Sequence, residues 1–419
     1  MNILDANIGS AKDNMRSPVH NWYRFTAGFS YKFVDVILEQ YTNKEIMVFE
    51  PFAGCGTTLV ECQKLGFKCV GNESQELMCN IINAKLNWDI KEKDVFDSLD
   101  AINSYLKDNI YSNSLTEEYN PLLVSLYDDK SLRELYCIRD AIRALSDSHL
   151  QLFFNLALSQ ALHKAALYPI AVPYISRSKQ IIDSGNAWIK FKNISESMIS
   201  DLGQMPRRDR LAQVFNFDSR QQNPDIEGSS CGLCISSPPY LNNLDYGEVS
   251  KVHSHFFDFT RNWSDITKKV RHKLVTGATT HYRDSEFDMD TFMKNEFVRN
   301  NKELTKELLS LFEGIKENAK LRKGRKSFHI LMMYYFEDMY FVLKEIRRVL
   351  SDGAEAFLIL GDSAPYGIFV PTTQLLGEIA LSTGFREYEI HKIRDRGDKW
   401  KGLTNRHDVL LSEKVLVLR

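Results

Sequence analysis

The chain is 419 residues long, 43% apolar and 26% charged, with a formal net charge of −2. These proportions are those of a globular protein, and the near-neutral balance excludes a global basic footprint for nucleic acid, so any such surface must be local. The length allows two or three domains, or one domain with large insertions.

The polar start "MNILDANIGSAKDN" carries no signal-peptide pattern, and the seven cysteines (Cys55, Cys62, Cys69, Cys79, Cys137, Cys231 and Cys234) are odd in number. Both features predict free thiols in a reducing cytoplasm. Cys231 and Cys234 form a CxxC. No second pair accompanies them at ligand spacing and Cys234 lies in an apolar run, so they read as core and no metal is expected.

The first elements alternate. "IMVFEPFAG" (46–54) is a strand ending in an acid, a proline and a glycine. "CGTTLVECQKLG" is a helix with Leu59, Cys62 and Leu65 on one face, stopped by Gly66. "FKCVGNE" is a second strand ending at Glu73, and "SQELMCNIINAKLNW" a second helix with Ser74 as its N-cap. Strand–helix–strand–helix is the start of a parallel sheet. From about Asp89 to Pro206 only helical periodicity appears. The most apolar part, "LQLFFNLALSQALHKAALYPIAV", is broken by His163 and Lys164 and reads as a buried helix rather than a membrane span.

The sheet resumes with "LAQVFNFDSR", ending at Asp218, and with "CGLCISSPPY". The latter strand must stop at Ser237, because proline cannot donate to a ladder. A polar helical stretch covers 244–326. Then "FEDMYFVLKEIRRVLSDG" is an amphipathic helix closed by Gly353, "AEAFLILGDS" a strand and "PTTQLLGEIALSTG" a helix, with "FREYEIHKIR" and "EKVLVLR" as the last strands. The expected fold is α/β: one Rossmann-like, doubly wound, mostly parallel sheet interrupted by two largely helical insertions.

The ends of these strands carry the chemistry, as open α/β sheets require. Gly54 and Gly56 flank a turn into a helix, where the backbone can approach a ligand and helix N–H groups are unpaired. The Gly-Lys-Ser/Thr ending of a P-loop is absent, and Leu59 stands where a dinucleotide fingerprint needs its third glycine, so a smaller nucleoside ligand is expected. Glu73 can accept hydrogen bonds from both hydroxyls of a ribose, and Asp218 can reach an adenine amino group. Each acid alone would serve equally as a helix cap or loop residue; three ligand-type positions at successive strand ends favour a site.

The corner Ser237-Pro238-Pro239-Tyr240 is held stiff by its prolines. Its carbonyls and the Ser237 hydroxyl can hold an exocyclic amine, and Tyr240 offers a face for a base that has left its duplex. Acceptors on the amine hydrogens favour a tetrahedral nitrogen whose lone pair points at an electrophilic methyl group. The plain alternative is a proline turn with a core tyrosine.

"FEPFAGCGTT", "VGNES", "FNFDSR" and "ISSPPY" resemble the landmark motifs of the amino-methylating DNA methyltransferases, which use S-adenosylmethionine and methylate cytosine N4 or adenine N6. A serine heading the corner is more typical of the cytosine-N4 members. "HNWYRFTAGFS" (20–30) resembles the family motif that closes over the methionine end of the cofactor, and "FLILGDS" to "VLVLR" fits the later strands. The resemblance implies a sheet of the class I methyltransferase type. It implies cofactor-binding roles for Phe25, Phe29, Ser30, Glu50, Phe52, Ala53, Gly54, Gly56, Thr57, Glu73, Ser74 and Asp218, and amine and base binding by Ser237, Pro238, Pro239 and Tyr240. Cys55 is a mild departure, since a small or polar residue is usual there. The cofactor motif precedes the Ser-Pro-Pro-Tyr motif, which is not the commoner order. No Pro-Cys nucleophile is present, which argues against ring-carbon methylation.

The expected divisions are 1–89, the cofactor-binding part of the catalytic domain; 90–204, a helical insertion that either reads the target sequence or packs beside the core; 205–243, the Ser-Pro-Pro-Tyr part; 244–326, a basic helical insertion expected to bind DNA; and 327–419, the C-terminal part. Two basic runs lie in the second insertion, which follows the corner in sequence, with Lys268, Lys269, Arg271 and Lys273 in one and Arg322 and Lys323 in the other. They are the expected phosphate contacts, although a solvated helix face is the bland reading of either run alone. The leading expectation is a cytoplasmic, site-specific cytosine-N4 DNA methyltransferase that flips its base. Its setting would be restriction-modification or phage defence, with a cognate endonuclease or defence-system subunit as partner. Adenine-N6 methylation is the close rival. An RNA guanine-N2 methyltransferase and a catalytically silent nucleic-acid-binding module rank below it.

Overall fold

A computed structural model of the protein describes residues 11–25, 27–111, 119–170, 175–207, 209–242, 244–321, 326–396 and 409–419. Its sheet has seven strands: β1 Met47–Glu50, β2 Lys68–Glu73, β3 Ala212–Asn216, β4 Cys231–Ser236, β5 Leu350–Gly361, β6 Tyr388–Arg396 and β7 Leu411–Leu418. Their order is β3-β2-β1-β4-β5-β7-β6. The pairs among the first five strands are parallel, while β7 is antiparallel to both β5 and β6. The chain winds outward from β1 to β3, then returns to the centre and winds the other way through β4 and β5. Between β1 and β4 the direction of winding switches, which opens a crevice at their carboxyl ends.

The strands alternate between two cores. Phe357 and Ile359 of β5 join the cluster that holds Leu59, Leu77 and Phe153, while Leu358 and Leu360 join the cluster that holds Leu308, Leu331 and Leu375. A period of two that feeds two apolar layers is a sheet covered by helices on both faces. The first layer contains the helices Thr57–Leu65 and Glu76–Leu86, and with them those of the first insertion, Glu92–Asn109, Asp129–Arg143, Ser148–Ala165 and Ala187–Leu202. The second layer contains Lys302–Lys320, Phe328–Val349 and Thr372–Ser382.

Three local expectations are corrected. Gln75, not Ser74, is the N-cap of the helix Glu76–Leu86, because the turn is closed by the Glu73 carboxylate accepting the Gln75 N–H at 2.9 Å. The helix before β5 begins at Phe328 and ends at Val349, since buried Leu350 already pairs with Cys231 in the sheet. Gly353, at φ +76°, therefore sits in an irregularity within β5 rather than at a helix end. Asp218 lies beyond β3, which stops at Asn216. The seven cysteines are free and buried. Among the described residues no group of potential metal ligands assembles, and no helix is long and apolar enough to cross a membrane.

Candidate active site

At the carboxyl end of β1 the chain turns sharply through Pro51–Gly54. Gly54 is left-handed (φ +55°), and a Cβ there would come 3.3 Å from the Phe25 ring, so glycine fits both the backbone and the space. Its N–H donates to Glu73 Oε2 at 2.9 Å. Burial pushes the Glu73 carboxyl up to about 7, against the opposing pull of the N–H groups of Gln75 and Gly54. Beneath the turn, Glu50 is buried. It accepts Phe52 N–H at 3.0 Å and the hydroxyls of Thr58, at 2.7 Å, and Ser236. Burial pushes its carboxyl up to about 8. Glu50 thus ties β1 to the helix Thr57–Leu65 and to the end of β4.

A cleft with about 730 Å³ of empty space, open to solvent, lies over the β1–β4 crevice. Of the residues expected at a cofactor, Phe25, Phe29, Phe52, Ala53, Gly54, Thr57, Glu73, Ser74 and Asp218 line it. Three others do not. Ser30 caps the helix Tyr31–Leu38, Gly56 packs on Ile82, and Glu50 lies below the turn. The cleft also takes in Asn72, Gln75, Tyr246, Leu274 and Val275, which sequence reasoning missed, and Lys273, which it expected at DNA phosphates instead. Tyr246 stacks on Phe25, ring centroids 6.4 Å apart. Its signal was an aromatic residue a few positions past the proline corner. Leu274 and Val275 carried no signal, because only tertiary folding brings the second insertion back over the sheet.

Ser237 and Pro239 line the same cleft; Pro238 and Tyr240 do not. Ser237 Oγ lies 3.5 Å from the Ile359 carbonyl, a contact at the outer limit of a hydrogen bond. The Pro239 carbonyl accepts the hydroxyl of buried Tyr335 at 2.9 Å, which fixes the corner. Tyr240 is more enclosed than a free stacking platform. Its hydroxyl donates to Glu413 Oε1 at 2.9 Å, and the Arg396 guanidinium stands 4.9 Å from its ring centroid. The ring also rests on Gly361, where a Cβ would come within 2.9 Å of it.

Of the six expected phosphate contacts, Lys268 and Lys269 are exposed on the short helical turn Ile266–Val270. Lys273 is exposed and lines the cleft. Arg271 is corrected: its side chain is 1% exposed and fastened to Asp245 at 2.6 and 2.9 Å, and it lies 4.1 Å from the Trp263 ring. A charge run in sequence does not distinguish a lysine in solvent from an arginine spent on a buried acid. Arg322 and Lys323 lie outside the described residues.

The switch-point cleft, the left-handed glycine turn and the buried acid at the end of β2 are the frame of a nucleoside-binding Rossmann-like sheet. Residues 7–84 match the family described as DNA methylase. The chain is similar to the Type II methyltransferase M.BsoBI of Geobacillus stearothermophilus, 20% identical over 92% of this chain and 82% of that one. It is similar to M.AvaI of Nostoc sp., 21% identical over 92% and 83%. It is also similar to M.MjaII of Methanocaldococcus jannaschii, 28% identical over 69% and 73%. No solved structure matches. These likenesses, with the fold and the cleft, support an S-adenosylmethionine-dependent DNA methyltransferase.

Proposed function

We propose that the protein methylates the N4 amine of cytosine at a specific DNA site, as the modification partner in a restriction-modification system. The observation that carries this reading is the position of Ser237. It heads the Pro-Pro-Tyr corner and lines the same cleft as Glu73 and Asp218. A cytosine amine delivered to Ser237 is therefore adjacent to whatever the acids hold. The naming of the relatives as Type II methyltransferases supports the restriction-modification setting and a cognate endonuclease as partner.

S-adenosylmethionine supplies an electrophilic methyl group on its sulfonium. Glu73 would accept the ribose hydroxyls and Asp218 the adenine amine, while Phe25 and Tyr246 shield the cleft from water. Ser237 Oγ would turn its own proton away, with the Ile359 carbonyl in reach at 3.5 Å, and accept from the target amine on a lone pair. An acceptor on an N–H favours the tetrahedral nitrogen and its exposed lone pair, an interaction that strengthens toward the transition state. Tyr335 and the two prolines hold this geometry in advance. Tyr240 would stack on the flipped base from its place on Gly361. Lys268 and Lys269 would contact phosphates, and the first insertion would read the sequence.

The test is nucleoside mass spectrometry of DNA from cells expressing the protein. N4-methylcytosine, absent from cells carrying the empty vector, is the expected product. N6-methyladenine instead would assign the rival target amine to the same scaffold.

A further inference from the structure

Lys273, Leu274 and Val275 reach the cleft from the second insertion, and they are bracketed by two fastened points. On one side the His272 carbonyl accepts Arg220 Nη2 at 2.5 Å. On the other, Thr276 gives its backbone N–H and its hydroxyl to Asp338 Oδ2, at 2.8 and 2.7 Å. The two anchors are joined, since Arg220 Nη1 meets Asp338 Oδ1 at 3.2 Å. The same guanidinium holds Asp218 as a fork, with Nε to Oδ1 at 3.0 Å and Nη2 to Oδ2 at 2.7 Å.

The arginine therefore reaches three parts of the fold at once: the loop after β3, the helix Phe328–Val349 and the second insertion. The side chains of Asp218, Arg220 and Asp338 are only 11%, 21% and 16% exposed, so salt screens them less than a surface pair. Their hydrogen bonds are charge-assisted and, at Asp218, bidentate. Residues 274–279 have no regular secondary structure to hold them. Side-chain anchors must set the position of such a segment, because its own backbone does not.

We infer that Arg220 and Asp338 are positioning residues that clasp segment 272–276 across the cleft and set how tightly, and for how long, S-adenosylmethionine is held. The inference rests on the reading of the cleft as the cofactor site. The clasp touches no reacting atom. It orients Asp218 and keeps Leu274 and Val275 against the ligand, so its loss should free the cofactor and spare the chemistry of a bound one.

Two variants of the full chain test it. Asp338→Asn keeps the shape and removes the charge that binds Arg220. Thr276→Val removes one hydroxyl donor and leaves the backbone N–H in place. Cofactor dissociation constant and off-rate are measured, with steady-state methylation of a DNA substrate. Asp338→Asn should raise both the dissociation constant and KM for S-adenosylmethionine about tenfold, mainly through the off-rate. The rate at saturating cofactor and the affinity for DNA should stay within about twofold of the parent. Thr276→Val should move the same quantities in the same direction by less, and it decides the matter should Asp338→Asn fail to fold. Folded variants with the parent's cofactor affinity and off-rate overturn the clasp, as does a loss of kcat at unchanged KM. A parent that binds no S-adenosylmethionine brings down the reading of the cleft and the clasp with it; a parent that binds beside unaffected variants removes the clasp alone.

Discussion

Replacing Glu73 by glutamine keeps the side chain's shape and removes its charge. In the ligand-free protein the carboxylate accepts two backbone N–H groups at 2.9 Å, from Gly54 and Gln75, and is 8% exposed. Under the proposed role it also accepts two ribose hydroxyls on its remaining lone pairs. Hydrogen bonds to a charged acceptor contribute about 1.5–3 kcal/mol each, against roughly 1 kcal/mol for neutral pairs. The amide retains one acceptor, so the expected loss is about 2 kcal/mol, or about 30-fold in dissociation constant.

The pH dependence gives this prediction a second arm. Burial holds the free carboxyl at about 7, while hydroxyl donors favour the charged form, so binding below that pH must expel a proton. Parent affinity should rise as pH climbs toward 7, approaching about tenfold per unit, and level off above it. The glutamine variant should show no such rise. Stability of the ligand-free protein moves the other way. A carboxyl raised in the folded state contributes stability below its unfolded pKa, and that contribution is lost as pH rises to about 7. Calorimetric titration with S-adenosylmethionine across this range reads the binding arm. A folded Glu73→Gln protein that binds at parent affinity above pH 7, or a parent with flat pH dependence, would refute the ribose role.

Ser237→Ala should slow single-turnover methyl transfer while leaving DNA affinity within about twofold, because its acceptor acts as the nitrogen becomes tetrahedral; transfer at the parent rate would sink the amine-holding role. Tyr240→Ala should cost about 1–3 kcal/mol in binding of the flipped base and leave cofactor affinity intact, read by gel shift with a mismatched target and by calorimetry. Neutralising Lys268 and Lys269 together should lower the slope of log affinity against log salt by about 2 on every DNA sequence, and an unchanged slope would place the phosphate contacts elsewhere. Arg271→Ala should instead act on stability, by about 3–5 kcal/mol in urea unfolding, since it strands the buried Asp245 carboxylate.

Elements with strong local causes were legible. The helix end at Gly66, the strand end before Pro238 and the acid at the end of β2 each follow from one or two residues and their neighbours. Arg271 misled because its sequence neighbours are lysines, whereas its spatial neighbours are Asp245 and Trp263. Tyr240 read as an open ring, because the sequence does not show that β6 and β7 bring Arg396 and Glu413 to it. The start of the helix Phe328–Val349 was hidden by its length. Tyr335 fell just before the segment that looked amphipathic, so its bond to Pro239 had no signal.

That helix links the two halves of the site. Tyr335 and Asp338 are three residues apart, so they share one face. Tyr335 fixes the carbonyl of Pro239, and Asp338 holds Thr276 and Arg220. The corner proposed to hold the target amine and the segment proposed to hold the cofactor thus hang from a single turn of a helix buried in the second core layer. A common support keeps the segment over the cleft in register with the corner, so a ligand retained under the segment stays beside Ser237. An insertion whose first job looked like DNA binding therefore also lines the cleft. The sheet fixes where the strand ends lie, and the helix Phe328–Val349 fixes what lies across them.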